Sequence, residues 1–239
     1  MLLTLTTEHR PATDLGFLLW KHPDRLRSVR LPFGSAHVLW PEATAERATC
    51  ALVLEIDAVG LARRRGGDRA LQQYVNDRPF VASSFLGVAL REVFGSALAG
   101  TSRDRPELVE RALPLVIRVE ALPCRGGESL LRELFAPLGY TIDARRHPLD
   151  PQFPDWGDSR IHTLELRGEV TVRDALRHLY VLIPVLDDQK HYWIDASEID
   201  KLLRREMRTR PSNNAARWMT VKTSEGPVTA LVFVMNRNG

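Results

Sequence analysis

Two short polar clusters contain the residue types that could carry chemistry in this chain. The first comprises Asp187, Asp188, Lys190 and His191, directly after an apolar run. Two carboxylates and an imidazole could bind a divalent ion. Alternatively, the two aspartates end a helical turn and the other side chains belong to a polar or partner-facing loop. We favour the second interpretation, which needs no metal ion.

The second cluster comprises Asn76, Asp77 and Arg78, in front of Pro79 and a predicted long helix. An Asx turn before proline explains the amide and the carboxylate without a ligand. Farther along the chain, Trp156 stands in the string FPDWG. Its ring could fill the core or offer a platform on which a base stacks, and we expect it in the core.

The sequence lacks the motifs of several common enzyme classes. It has no GxGxxG turn, which dehydrogenases and methyltransferases of the common nucleotide-binding type need so that the backbone can approach the cofactor. Residues 95–102 (GSALAGTS) come near a phosphate-binding loop but lack its lysine and follow a predicted helix. No HExxH or GxSxG motif occurs. Cys50 and Cys124 are isolated, which excludes a disulfide scaffold and a CxxC-type zinc site.

Composition and charge indicate a globular protein that does not span a membrane. Of 239 residues, 44% are apolar and 26% are charged, and no apolar run reaches the roughly 18 residues that cross a bilayer. The first ten residues do not resemble a secretory signal, so we expect a cytoplasmic protein. The net charge is +3, and the last 39 residues carry eight basic and two acidic side chains. This basic end could contact nucleic acid or an acidic partner, but we favour a solvated tail.

The elements that must position these residues are short strands and helices in irregular alternation. Alternating or continuous apolar residues predict strands at 2–8, 28–33, 36–40, 49–57, 114–121 and 140–144, one or two strands at 161–172, and a C-terminal hairpin of 217–223 with 227–235. Helical spacing predicts helices from Asp14 to before Pro23 and at 81–98, 128–138, 172–186 and 196–206. Asp14 is the N-cap candidate of the first helix, and Ser83 and Ser84 are those of the second. Gly100 lies just past the second helix, where a left-handed residue is expected. The predicted fold class is therefore α+β, with mixed or antiparallel sheets, interleaved helices and a C-terminal β-hairpin.

Seven strings of the sequence together resemble one protein family. They follow in order over about 200 residues, at 13–25 (TDLGFLLWKHPDR), 34–44, 50–61, 73–88 (QYVNDRPFVASSFLGV), 134–140, 149–159 (LDPQFPDWGDS) and 178–201. The chain resembles the amino-terminal half of the bacterial 3′-terminal RNA ribose 2′-O-methyltransferases of RNA repair, which are relatives of the eukaryotic small-RNA methyltransferase.

The resemblance implies a non-catalytic module. Such a module docks on the ligase part of a polynucleotide kinase–phosphatase–ligase and promotes ligase adenylation, so that it meets RNA indirectly. A separate carboxy-terminal domain of the family uses S-adenosylmethionine and a divalent metal, Mg or Mn, and we expect no cofactor and no catalytic residue in this chain. A homodimer or a two-fold complex is expected by analogy. The predicted partner contacts are polar residues inside the matching strings: Lys21, His22, Asn76, Asp77, Arg78, Asp187, Asp188, Lys190 and His191.

The tail carries a second resemblance. Residues 203–236 resemble a fragment of the ChaC-type γ-glutamylcyclotransferases, in which the glutamate of the REM string, here Glu206, would be the catalytic acid/base. The glycine-rich substrate motif of that family has no counterpart in this sequence. We therefore predict an RNA-repair domain at 1–203, with a possible break into two lobes near 101–112, and a divergent tail at 204–239. The alternative function is an enzyme or its remnant, either an RNA ribose methyltransferase completed by a separate catalytic domain or a γ-glutamylcyclotransferase.

Overall fold

A seven-stranded sheet forms the centre of the computed structural model, which describes residues 1–57, 59, 80–187, 216–223 and 226–233. Its strand order is β2-β3-β4-β1-β5-β7-β6, and every neighbouring pair is antiparallel. The strands are β1 (Leu2–Thr7), β2 (Arg27–Leu31), β3 (Gly34–Ala43), β4 (Ala48–Ile56), β5 (Leu113–Pro123), β6 (Thr141–Pro148) and β7 (Asp158–Val170). The predicted α+β class with interleaved helices is confirmed.

The first strand joins the two halves of the sheet. Leu3 of β1 lies opposite Leu52 of β4 on one side and Val119 of β5 on the other, and all three side chains are fully buried. Residues that alternate along these strands place one apolar row on the core face, as the period of two in the sequence requires. Strands from before and after residues 101–112 therefore belong to one sheet.

Four α-helices accompany the sheet in the described part of the chain. They are α1 (Asp14–Leu19), α2 (Phe80–Ala99), α3 (Gly127–Phe135) and α4 (Val172–Leu182). The expectation that Ser83 and Ser84 cap α2 is wrong, because an N-cap precedes the helix and both serines lie inside it. Asp14 likewise is the first residue of α1, and Thr13 occupies its cap position. Thr171 does cap α4, since its Oγ1 accepts from the Asp174 amide at 3.0 Å.

The chain divides into two compact units, Met1–Asp187 and Asp188–Gly239. In the second unit, Ala216–Thr223 (β8) pairs antiparallel with Gly226–Phe233 (β9), which confirms the predicted hairpin. The predicted helix at 196–206 and the predicted boundary at residue 203 lie outside the described residues, and the division into domains stays a prediction. Within the described ranges, no helix combines the length and apolarity needed to cross a membrane.

Candidate docking surfaces

The described part of the chain includes three of the predicted partner contacts. Lys21 and His22 follow α1, and Asp187 is the last residue of the 3-10 helix Ile183–Asp187. For all of them, contact with a partner stays a prediction. The remaining predicted contacts and the possible cyclotransferase residue lie outside the described residues: Asn76, Asp77, Arg78, Asp188, Lys190, His191 and Glu206.

Lys21 has its ammonium group inside the protein. The Nζ atom donates to the carbonyl oxygens of Leu19 and Trp20, both at 3.3 Å, and lies 5.5 Å from the centroid of the Phe94 ring. Burial, and after it the charge of Arg27, lowers the pKa of Lys21 to about 8. These carbonyls belong to the end of α1, where backbone acceptors lack helical partners. The geometry thus gives Lys21 a structural part at the end of this helix.

Helix α1 ends in a turn that holds Trp20 in a fixed position. The Trp20 amide donates to the Phe17 carbonyl at 3.4 Å and the Lys21 amide to the Gly16 carbonyl at 2.9 Å, which is the Schellman pattern. Trp20 occupies the left-handed position of this motif, with φ of 56°, where glycine is the usual residue. Its indole Nε1 also donates to the Thr101 carbonyl at 2.9 Å, although the side chain is 44% exposed.

Exposed aromatic and basic side chains surround this turn. Phe17 and Leu26 are exposed, His22 has 63% of its side chain in solvent, and residues 20–30 carry four Lys or Arg and one acid. The segment after α2 adds a further cation, because Ser102 donates from Oγ to the Phe17 carbonyl at 3.2 Å and is followed by the exposed Arg103. We call this set the basic aromatic surface, and its members are Phe17, Trp20, His22, Arg25, Leu26, Arg27 and Arg103.

A second exposed aromatic group lies on the loop between β6 and β7. The rings of Phe153 and Trp156 stack with centroids 4.7 Å apart and planes 14° apart. They are 49% and 62% exposed, and Leu149 at the start of the loop is 60% exposed. We call residues 149–158 the acidic aromatic loop, because they contain three aspartates and no lysine or arginine. The expectation that Trp156 fills the core is therefore wrong.

Hydrogen bonds within the acidic aromatic loop give it a defined shape. The Leu149 amide donates to the Gly157 carbonyl at 3.0 Å and closes the loop at its base. Inside it, the Trp156 amide donates to the Phe153 carbonyl at 3.0 Å, in the 3-10 turn Pro154–Trp156, and Gly157 has φ of +78°, which glycine adopts without strain. The two rings are consequently presented to solvent on a folded loop.

A third set of polar side chains lies mostly below the surface, around α4. The Tyr140 Oη and His178 Nδ1 atoms are 2.9 Å apart, and burial lowers the pKa of His178 to about 4 while the charge of Asp174 opposes that shift. On the same helix, Arg173 pairs with Glu110 and with Asp174. These contacts tie α4 to its neighbours. Among the described residues, no group of three or more His, Cys, Asp or Glu side chains could hold a metal ion.

Sequence reasoning missed the aromatic members of both surfaces. Phe17 and Trp20 lie in one string of the family resemblance and Phe153 and Trp156 in another. In each string the two aromatic residues are three positions apart, among prolines and charged residues. A helical turn gives the same spacing, so the spacing alone does not distinguish an exposed pair from a buried one. The predicted contacts are all polar or charged, whereas interfaces are enriched in aromatic residues.

One family model and two solved structures match this chain. The family model described as the RNA repair, ligase-Pnkp-associating, region of Hen1 matches residues 1–230, which includes most of the tail. Two solved structures, of a Pnkp1/Rnl/Hen1 RNA repair complex and of a Pnkp1/Rnl/Hen1 complex, each match with a TM-score of 0.51 and 14% identity over 85% of this chain. The chain spans 47% and 46% of the matched chains, about half of their length. At 14% identity these two structures show a shared fold and nothing more. No curated protein matches the chain.

Proposed function

The chain belongs to the family of RNA repair, ligase-Pnkp-associating regions of Hen1, and on that premise we propose that it is a non-catalytic module that binds and activates a ligase. The partner is the ligase part of a polynucleotide kinase–phosphatase–ligase. The observation that carries this proposal is the family match over residues 1–230. The exposed aromatic side chains support it, because a module that acts by docking needs a surface that loses water when it binds.

The acidic aromatic loop is the proposed contact with the ligase. Trp156 and Phe153 are large, exposed and held by the loop's own hydrogen bonds, so docking would order few additional side chains. Tryptophan is among the residues that dominate binding energy in interfaces, with losses of about 2 kcal/mol or more on truncation. Leu149 extends the apolar group at the base of the loop.

The charges of the loop define the kind of surface that it fits. Asp155 is exposed, whereas Asp150 is half-buried and accepts from the Gln152 amide at 2.8 Å. Asp158 lies 3.9 Å from Arg146 in a weak surface pair. Carboxylates around an apolar centre match a partner with an apolar pocket inside a basic rim. Salt screens such pairs, so the affinity for the ligase is expected to fall as the ionic strength rises.

Activation follows if the module binds one state of the ligase more tightly than another. A ligand shifts a conformational equilibrium by the ratio of its affinities for the two states. Preferential binding to the state that reacts with ATP would raise the rate of ligase adenylation without any catalytic residue from this chain. A two-fold complex containing two copies of the module is part of the proposal, as is action in the cytoplasm.

In this proposal, a separate methyltransferase domain of the family methylates the RNA 3′ end, and the described residues take no part in that reaction. S-adenosylmethionine and a divalent metal, Mg or Mn, are the groups that a methyltransferase domain of the family would use. The side chains of the described ranges do not fit the metal, because they contain no cluster of three or more of its usual ligands. Contact between RNA and the acidic aromatic loop is disfavoured, since its carboxylates repel phosphates.

Binding to the cognate ligase tests the proposed contact. Trp156→Ala removes an exposed ring, so the fold should persist while the Kd for the ligase rises about 30-fold, equivalent to about 2 kcal/mol. Trp20→Gly is the matched control, because it removes an equally large exposed ring from the other surface and should leave the Kd unchanged. Calorimetric titration measures both. An unchanged Kd for Trp156→Ala, with wild-type binding intact, would reject the loop as the contact.

A further inference from the structure

The basic aromatic surface has a chemistry opposite to that of the acidic aromatic loop. We propose that it binds unpaired RNA directly, through stacking on Trp20 and phosphate contacts of the neighbouring arginines. This inference rests on the proposed function, because the role in RNA repair identifies the nucleic acid as RNA. It adds a direct RNA contact to a module whose expected partner is a protein.

Trp20 is held in the way that a stacking platform requires. Its backbone is fixed by the Schellman turn and its indole Nε1 by the hydrogen bond to the Thr101 carbonyl, so the ring has a defined orientation although it is 44% exposed. Phe17, one helical turn earlier, is equally exposed. Proteins that bind single strands use exposed aromatic rings on which bases stack, largely without regard to sequence.

The backbone at Trp20 favours a small residue, and yet a large aromatic residue occupies the position. A φ of 56° is unusual for a bulky side chain, whereas glycine adopts it freely. The ring, with its indole hydrogen bond to the segment after α2, is thus placed against the local backbone preference. Such a conformation points to a role for the side chain beyond ending the helix.

The charges next to the ring suit a phosphate backbone. Arg25, Arg27 and Arg103 are all exposed and come from two segments that meet at Trp20 and Phe17, and they outnumber the exposed Asp24 and Asp104 of the same segments. Arginine binds phosphates through its planar fork of donors and also stacks on bases. An acidic protein surface would satisfy the charges, but two exposed rings among arginines are the combination typical of single-strand binding. A broken RNA strand offers unpaired nucleotides whose bases could stack on these rings.

RNA binding by the complete chain tests the inference. Anisotropy of a labelled, unstructured oligoribonucleotide should show binding that weakens as salt rises. Trp20→Gly should weaken it at least fivefold while the chain keeps its thermal stability, because glycine suits the left-handed position. The double variant Arg25→Ser/Arg103→Ser should lower the slope of log K against log salt by roughly 1.4, at about 0.7 for each lost phosphate contact on a single strand.

Controls on the other surface separate this inference from the proposed function. Trp156→Ala should bind RNA like the wild type and lose the ligase, whereas Trp20→Gly should bind the ligase like the wild type and lose RNA. The inference is overturned if the wild type binds no RNA, or if Trp20→Gly and the double arginine variant bind it unchanged. It is also overturned if those variants lose the ligase instead, which would assign the basic aromatic surface to the protein partner.

Discussion

Acidification should destabilise the fold through His178. Burial lowers the pKa of His178 to about 4 from an ordinary value of 6.5, so the imidazole stays neutral in the folded chain while the unfolded chain binds a proton. Its contribution to stability is complete above pH 6.5 and is lost as the pH falls toward 4. At about 1.4 kcal/mol per pH unit over that window, roughly 2 kcal/mol should disappear between pH 7.5 and pH 5.

Urea unfolding of the wild type and of His178→Gln at both pH values measures this effect. Glutamine retains an acceptor for the Tyr140 hydroxyl, which lies 2.9 Å from the imidazole, and it does not titrate. The burial of His162 lowers its pKa as well, but His162 remains in both proteins and its effect cancels in the difference. The loss between pH 7.5 and pH 5 should be about 2 kcal/mol smaller in the variant. Equal losses would show that His178 is not buried in a neutral form.

Two further predictions concern stability, and each has its control in the same chain. Arg105→Ala should lower the free energy of unfolding by about 3 kcal/mol, because Arg105 donates at 3.0 Å to the buried carboxylate of Asp14. Arg47→Ala, which removes exposed ion pairs with Glu8 and Glu42, should lower it by only about 0.5 kcal/mol. Gly100→Ala should lower the free energy of unfolding by at least 1 kcal/mol, since φ is +72° there and a new Cβ would lie 2.6 Å from the Arg173 side chain. Gly95→Ala, inside α2 and with free space around the new Cβ, should leave the stability unchanged or raise it. Urea unfolding at pH 7.5 compares the members of each pair, and equal effects within a pair would contradict the contacts described.

The strands were predictable because burial of one face leaves a period of two in the sequence. β1, β4 and β5 follow their predicted ranges closely, and the glycine at position 100 was correctly expected to end a helix. Predictions of helix beginnings were less successful, because a serine inside the first turn and a serine before it look alike without the backbone. The predicted one or two strands at 161–172 are a single strand, β7, that begins at Asp158.

The surfaces depended on tertiary contacts that the sequence does not specify locally. The contact of Lys21 with a partner stays a prediction, and the position of its ammonium near the ring of Phe94 depends on a residue more than 70 positions away along the chain. Trp156 was expected in the core, although the loop that carries it closes on itself outside the sheet. Trp20 ends a helix in the manner of glycine, and the indole bond to Thr101 that fixes its ring joins distant segments. Local patterns predict elements, whereas exposure of a given ring follows from what packs against it.

Stimulation of ligase adenylation by the isolated module tests the central claim most directly. The cognate ligase would be followed with labelled ATP, alone and with increasing wild-type chain, Trp156→Ala or Trp20→Gly. We predict that the wild type and Trp20→Gly stimulate adenylation equally, and that Trp156→Ala needs about 30-fold more protein for the same effect. No stimulation by the wild type would contradict an activating module, and equal stimulation by Trp156→Ala would contradict docking through the acidic aromatic loop.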